Sequence, residues 1–278
     1  MAGNLAPSDM TDVRRRELAR EEDAAAGKRE RRAQVFHYLG MPVFLLVVVI
    51  GLYLYVGAQE LDSIETRTLT ADNLREQTIQ HLRLTVYSTV FVLLLAVPLG
   101  IFATRPRLRR YTPAIIGLGN AGQAIPSLGL LALLFYLFRT TPALPSTGTF
   151  PVVVALTAYS FLPILRNTMV GLDQVDRFVL EAGKGMGMSD RLVLRRIELP
   201  LAVPVILAGV RTALVLNVGT AALAFLFGAG GLGETIFSGF QLQRTPVLVT
   251  GAIMVAVLAL LVDYVAGLIE EKLTPKGL

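Results

Sequence analysis

Six stretches of this chain, 38–58, 84–104, 111–138, 140–165, 212–233 and 245–262, each run for 18 residues or more without one Asp, Glu, Lys or Arg. Crossing about 30 Å of hydrocarbon takes roughly 20 residues of helix at 1.5 Å each, and a helix satisfies its own backbone groups where no water is present. The runs therefore predict an all-α polytopic membrane protein with six transmembrane helices. The fifth needs an earlier start, near Leu201, and so encloses Arg211. The composition agrees, with 53% apolar and only 17% charged residues.

Short loops rich in Lys and Arg stay on the cytoplasmic side. Twenty of the 26 basic residues fall in 1–37, 105–110, 166–196 and 271–278, whereas the alternate loops hold only Arg67, Arg75, Arg83, Arg139 and Arg244. Both termini are thus expected inside the cell, in a multi-pass protein of the cell membrane. Topology accounts for the +5 net charge, and no basic patch interleaved with aromatics points to nucleic acid. Residues 1–37, with eight basic and seven acidic groups, read as a solvated cytoplasmic tail. Segment 38–58 reads as a permanent extra anchor, because its apolar run of 21 exceeds the 7 to 15 usual in a cleaved signal. Residues 59–80 are expected as an external loop, 81–270 as the main transmembrane domain and 271–278 as a cytoplasmic tail.

The segment between Arg166 and Pro200 is too apolar to be only a connection. Leu180, Met186, Met188, Leu192 and Val193 need somewhere to go. Asp176 can cap a first short helix, Gly187 suits the left-handed position that closes it, and Ser189 can cap a second helix through Arg196, with Pro200 opening the fifth span. Such a knob fits either a groove in a partner or the lipid interface. Glu181-Ala182-Gly183, then Gly187, then Ile197-Glu198-Leu199-Pro200 resemble the EAA motif of permease subunits of bacterial ABC importers. Gly183 stands where that motif has its second Ala. The resemblance implies a five-span core, from which the extra first span departs, and docking of residues 176–200 into a separate ATPase subunit. It also implies a second permease copy or homologue and an extracytoplasmic binding protein. Gln123-Ala124-Ile125-Pro126-Ser127 and the run 162–167 are similar to permeases for osmoprotectants such as glycine betaine, choline or carnitine. Methionine-importer permeases share the general core, so an amino acid cargo stays open.

Other features bear on a pathway. Gly117, Gly119, Gly122, Gln123, Pro126 and Ser127 make the third span the best place for a broken helix, and Pro98, Pro151 and Pro163 are expected to kink their spans. Arg211, inside a span, is expected to face the bundle interior with polar partners such as Asn217. Gly228, Gly230, Gly231 and Gly233 satisfy a dinucleotide pattern, but an apolar span precedes them where a strand is required; a tight turn at an outer gate fits better. No Lys is followed by Ser or Thr, so there is no P-loop, and ATP with its Mg2+ is expected in a partner subunit. No cofactor or metal is expected in this chain. A secondary transporter using Asp263 or Glu234 as a proton-linked carboxylate, and a scaffold without transport, are the rival classes.

Overall fold

The computed structural model describes residues 38–106, 108–141 and 143–274, so the tail 1–37 and residues 275–278 lie outside the described residues. The chain divides into units 1–50 and 51–278. In the first, every described residue belongs to helix α1 (Tyr38–Gly57). The second is built from α2 (Ser63–Thr68), α3 (Ala71–Thr104), α4 (Thr112–Ala124), α5 (Ser127–Arg139), α6 (Thr149–Asp173), α7 (Arg177–Gly185), α8 (Asp190–Val193), α9 (Leu199–Ala221), α10 (Gly233–Gln241) and α11 (Thr245–Leu273). No strand occurs among the described residues.

Five helices are long and apolar enough to cross a membrane, and α4 with α5 makes a sixth if the pair is one span bent by 103°. Each of the six uncharged runs thus contains helix, although 140–148 and 222–232 lie outside the α-helices, and the expected break in the third span lies where Gln123 and Pro126 stand. The sixth run extends past its apolar limit to Leu273.

Helix α6 is central and packs on α3, α4, α5 and α9. Lipid tails are as apolar as Leu, so helices associate here through close packing rather than through escape from water. Small residues stand at the crossings. A Cβ on Gly122 would lie 2.7 Å from the carbonyl oxygen of Ala158, and one on Gly209 would lie 2.6 Å from Cβ of Asn167. Where α3, α6 and α9 meet, Val92, Ala96, Ile164, Leu165 and Ala213 are fully buried.

Three expectations are corrected. Residues 59–80 are not irregular chain: α2 lies there, and α3 begins at Ala71, well before the apolar run. The reason is a polar face. Gln77, His81, Thr85 and Ser88 recur at helical spacing and are all buried, so α3 hides polar groups that an apolarity reading passes over. Asp62 accepts from the backbone N–H of Ile64 and Glu65, Glu65 answers the N–H of Asp62 at 3.0 Å, and Arg244 pairs with Asp62, which ties α2 to the start of α11. Pro151 lies in the first turn of α6, where no N–H is needed, so Pro98 and Pro163 are interior prolines while Pro151 is not.

The third correction concerns the fifth span. The second knob helix does not stop at Arg196; α8 passes through a π-helical turn, Leu194–Glu198, directly into α9. The N–H of Leu199 bonds to the carbonyl of Leu194, one residue wider than an α-turn. Pro200, which has no N–H, follows in the first turn of α9, so the register change lies where the ordinary ladder would be interrupted anyway.

Candidate functional site

The knob opens at Asp176, whose carboxylate accepts from the N–H of Phe178 at 2.8 Å. It turns at Gly187, with φ +87°, a conformation that costs a residue with a side chain 1–2 kcal/mol on the order of magnitude. Two bonds complete the helix end, Gly187 N–H to the Lys184 carbonyl at 2.9 Å and Met188 N–H to the Gly183 carbonyl at 3.1 Å. Ser189 stands at the cap position of α8 but makes no side-chain cap bond, which corrects its expected role. Lys184 Nζ lies 2.9 Å from Asp190, and that carboxylate raises the Lys184 pKa while joining α7 to α8.

The two ends of the motif touch. Gly183 is buried, and a Cβ there would come 2.7 Å from Cδ1 of Ile197 and 3.6 Å from Val193. Val193 is buried and Leu180, Met188 and Leu192 are half-buried, so most of the apolar set does not face outward. Met186 does, at 73% exposure, together with Phe178 at 80% and Val179. Glu181, Ala182 and Pro200 are also exposed, while Leu199 packs under the knob near Leu172, Ala202 and Ile206. Glu198 is buried and holds the guanidinium of Arg105, just beyond α3, through both carboxylate oxygens. That link between knob and span is absent from the sequence reading; its only signal was an acid between Ile197 and Leu199.

The broken span carries Gln123 at the end of α4, Pro126 in the cap position of α5 and Ser127 as its first residue. Gln123 donates through Nε2 to the carbonyl of Tyr159 in α6 at 3.1 Å. Asn217 is fully buried and donates to Oγ1 of Thr89 at 3.3 Å. Arg211 does not meet Asn217. Six residues along a helix turn the side chain to another face, and Arg211 instead grips Asp263 of α11 through two nitrogens, with Glu270 at 3.9 Å. Its side chain is 43% exposed, which corrects the expectation of an interior arginine. No hydrogen bond among the described residues joins Gln123, Arg211 and Asn217.

The glycine run forms a tight clasp at the opposite end from the knob. Gly228, Gly230 and Gly231 have φ of +76°, +72° and +103°. Gly231 N–H donates to Gln80 Oε1 at 3.0 Å, Thr235 bonds to Gln77, and buried His81 donates through Nε2 to the carbonyl of Val218 at 2.8 Å. Helix α9 ends three residues later, so His81 answers a carbonyl that the helix end releases. Gly233 rests against the backbone carbonyl of Ala222, where a Cβ would overlap it, whereas at Gly228 a Cβ meets nothing closer than 3.8 Å. Gly233→Ala is therefore expected to destabilise by about 1–3 kcal/mol through overpacking, against about 1 kcal/mol for Gly228→Ala from its φ alone. Thermal unfolding in detergent checks this order, and equal midpoints would refute it.

A many-span helical bundle with one broken span and a projecting two-helix knob has the architecture of a membrane permease. Residues 96–275 match the binding-protein-dependent transport system inner membrane component, and the chain belongs to that family, the permease subunits of ABC importers. It is 42% identical over 202 residues to the glycine betaine/carnitine/choline transport system permease protein OpuCB of Bacillus subtilis (strain 168), covering 73% of this chain and 89% of that one. The osmoprotectant import permease protein OsmY of Salmonella typhimurium (strain LT2) is 37% identical over 232 residues, covering 84% and 94%. Among solved structures, the inward-facing MetNI methionine ABC transporter superposes with a TM-score of 0.63 at 26% identity, covering 73% of this chain and 96% of that one. The methionine transporter is thus the more distant likeness. The chain is a multi-pass membrane permease, like the permease subunits it resembles.

Proposed function

We propose that this permease imports an osmoprotectant of the betaine or quaternary ammonium class, driven by a separate ATPase subunit that docks on residues 176–200. The observation that carries the ATPase reading is the knob, whose exposed tip joins Phe178, Val179 and Met186 to the carboxylate of Glu181. The cargo rests on the printed substrates of the relatives. In this reading both termini are cytoplasmic, the knob faces the cytoplasm and the Gly228–Gly233 clasp faces outward. A second permease, this chain or a homologue, completes the membrane unit, and an extracytoplasmic binding protein delivers the solute. ATP and Mg2+ belong to the partner. Closure of the ATPases moves the knob, and the Arg105–Glu198 pair and the continuous helix from Asp190 to Ala221 carry the motion into α3 and α9.

Gln123, Pro126 and Ser127 then border the solute path at the break, and the binding protein supplies the main selectivity. Quaternary ammonium groups are usually held by aromatic cages, in which Trp is the strongest member, and this chain has no Trp.

The test is co-purification with a candidate ATPase and reconstitution in lipid with binding proteins and solutes. Glycine betaine, choline or carnitine should stimulate ATP hydrolysis and enter the vesicles. Glu181→Ala and Gly187→Val should each leave the permease assembled while cutting coupled transport at least about tenfold, if contacts worth about 1.4 kcal/mol are lost at the docking surface. Coupled transport unchanged in both variants would overturn the docking site. Uptake without an ATPase, lost with the proton gradient, would overturn the mechanism.

A further inference from the structure

Pro163 lies inside α6 and has no N–H to give. The carbonyl it leaves without an intrahelical donor belongs to the residue four positions earlier, Tyr159. A carbonyl in that state within a span must be answered by a protein donor or by water in a polar cavity. The answer comes from a different span: Nε2 of Gln123 stands 3.1 Å from the Tyr159 oxygen. The contact is tightly held, since neighbouring Gly122 lies so close to Ala158 that a Cβ would reach its carbonyl oxygen at 2.7 Å. Immediately beyond it α4 ends at Ala124, and α5 leaves from Ser127 at 103°.

We propose that Gln123 is a positioning residue: its carboxamide replaces the N–H that Pro163 withholds from Tyr159, and this bond fixes where the third span breaks. The pairing explains two residues that are otherwise separate liabilities, a proline inside one apolar helix and a polar amide inside another. It deepens the reading of this chain as a permease, because the break borders the path assigned above. Gln123 then acts on transport by holding α4 against α6, not by choosing the solute.

The proposal makes one substitution repair another. In Pro163→Ala the alanine N–H can bond to Tyr159 within α6, so Gln123 is no longer required there. Full-length wild type, Gln123→Leu, Pro163→Ala and the double variant are compared for yield and thermal unfolding midpoint in detergent, with no solute present. The same proteins, reconstituted with the ATPase partner, are compared for maximal transport rate and KM. Gln123→Leu is expected to lose about tenfold in rate, the scale of one unanswered carbonyl within a span, with KM little changed. Adding Pro163→Ala is expected to recover most of that loss and to raise the unfolding midpoint. If Gln123→Leu alone does not assemble, the double variant must assemble. A double variant as impaired as Gln123→Leu overturns the proposal, as does a Gln123→Leu effect confined to the KM of one solute. The detergent arm needs no assumption about cargo or drive, so a failure of the transport reading would leave it standing.

Discussion

Arg105→Leu is expected to be far more damaging than Glu198→Leu, although the two residues form one ion pair. Glu198 is buried under the knob, whereas the Arg105 side chain keeps about a third of its surface exposed, 32%. Removing the arginine leaves a carboxylate with no partner and little access to water, a defect worth about 3–5 kcal/mol in buried pairs. Removing the glutamate leaves a guanidinium on a long stem that can turn to solvent, so about 1 kcal/mol is lost. The yield of assembled permease should follow that order, with Arg105→Leu recovered by roughly one part in a hundred or less and Glu198→Leu near half. The double Leu variant removes both charges and should assemble well. Its transport separates structure from transmission. If the pair carries motion between knob and α3, the assembled double variant hydrolyses ATP with its partner but moves little solute. Normal transport by that variant would reduce the pair to a structural clamp.

Much of the architecture could be read from residue patterns, for physical reasons. Uncharged runs long enough to span hydrocarbon have few alternatives to helix, so five form helices long enough to span and the third forms a helix pair bent by 103°. The knob was legible because Asp176 and Gly187 act locally: a cap and a left-handed turn depend on a few neighbours. What stayed hidden depends on contacts distant in sequence. The first turns of α3 read as loop because residues such as Gln77 are polar, yet Gln77 is held by Thr235 and the adjoining His81 by the end of α9, more than 130 residues away. The continuous α8–α9 helix was missed because Pro200 signals a start, and the π turn that absorbs it has no sequence mark of its own. Gln123 marks the broken span in the sequence, but its partner is a backbone carbonyl, and only the position of Pro163 four residues after Tyr159 marks that carbonyl as vacant.

Arg211 and Asp263 give the second large effect, and the solutes themselves supply the control. Arg211 lies along α9 with its fork on Asp263, seated over Gly267, where a Cβ would stand 3.4 Å from Nη1. Arg211→Leu strands a largely buried carboxylate, 25% exposed, at the end of the apolar run of α11, and an unpaired charge costs about 2.5–3.5 kcal/mol at the centre of a span and less toward its end. Assembled permease should fall by about tenfold or more. Asp263→Asn should do less, because the arginine is 43% exposed and retains Glu270 at 3.9 Å. Arg211→Leu with Asp263→Asn removes both charges and should restore assembly. Three roles then diverge. A structural pair leaves the neutral double variant transporting choline and glycine betaine alike, and this is the expected result, since both fork nitrogens are already engaged. Capture of a substrate carboxylate by Arg211 would raise KM for glycine betaine and carnitine but not for choline, which has no carboxylate. Proton coupling through Asp263 would abolish uptake of every solute in a variant that still assembles. The guanidinium cannot serve Asp263 and a passing carboxylate with the same nitrogens, so a choline-selective survivor would mean that the pair opens during transport.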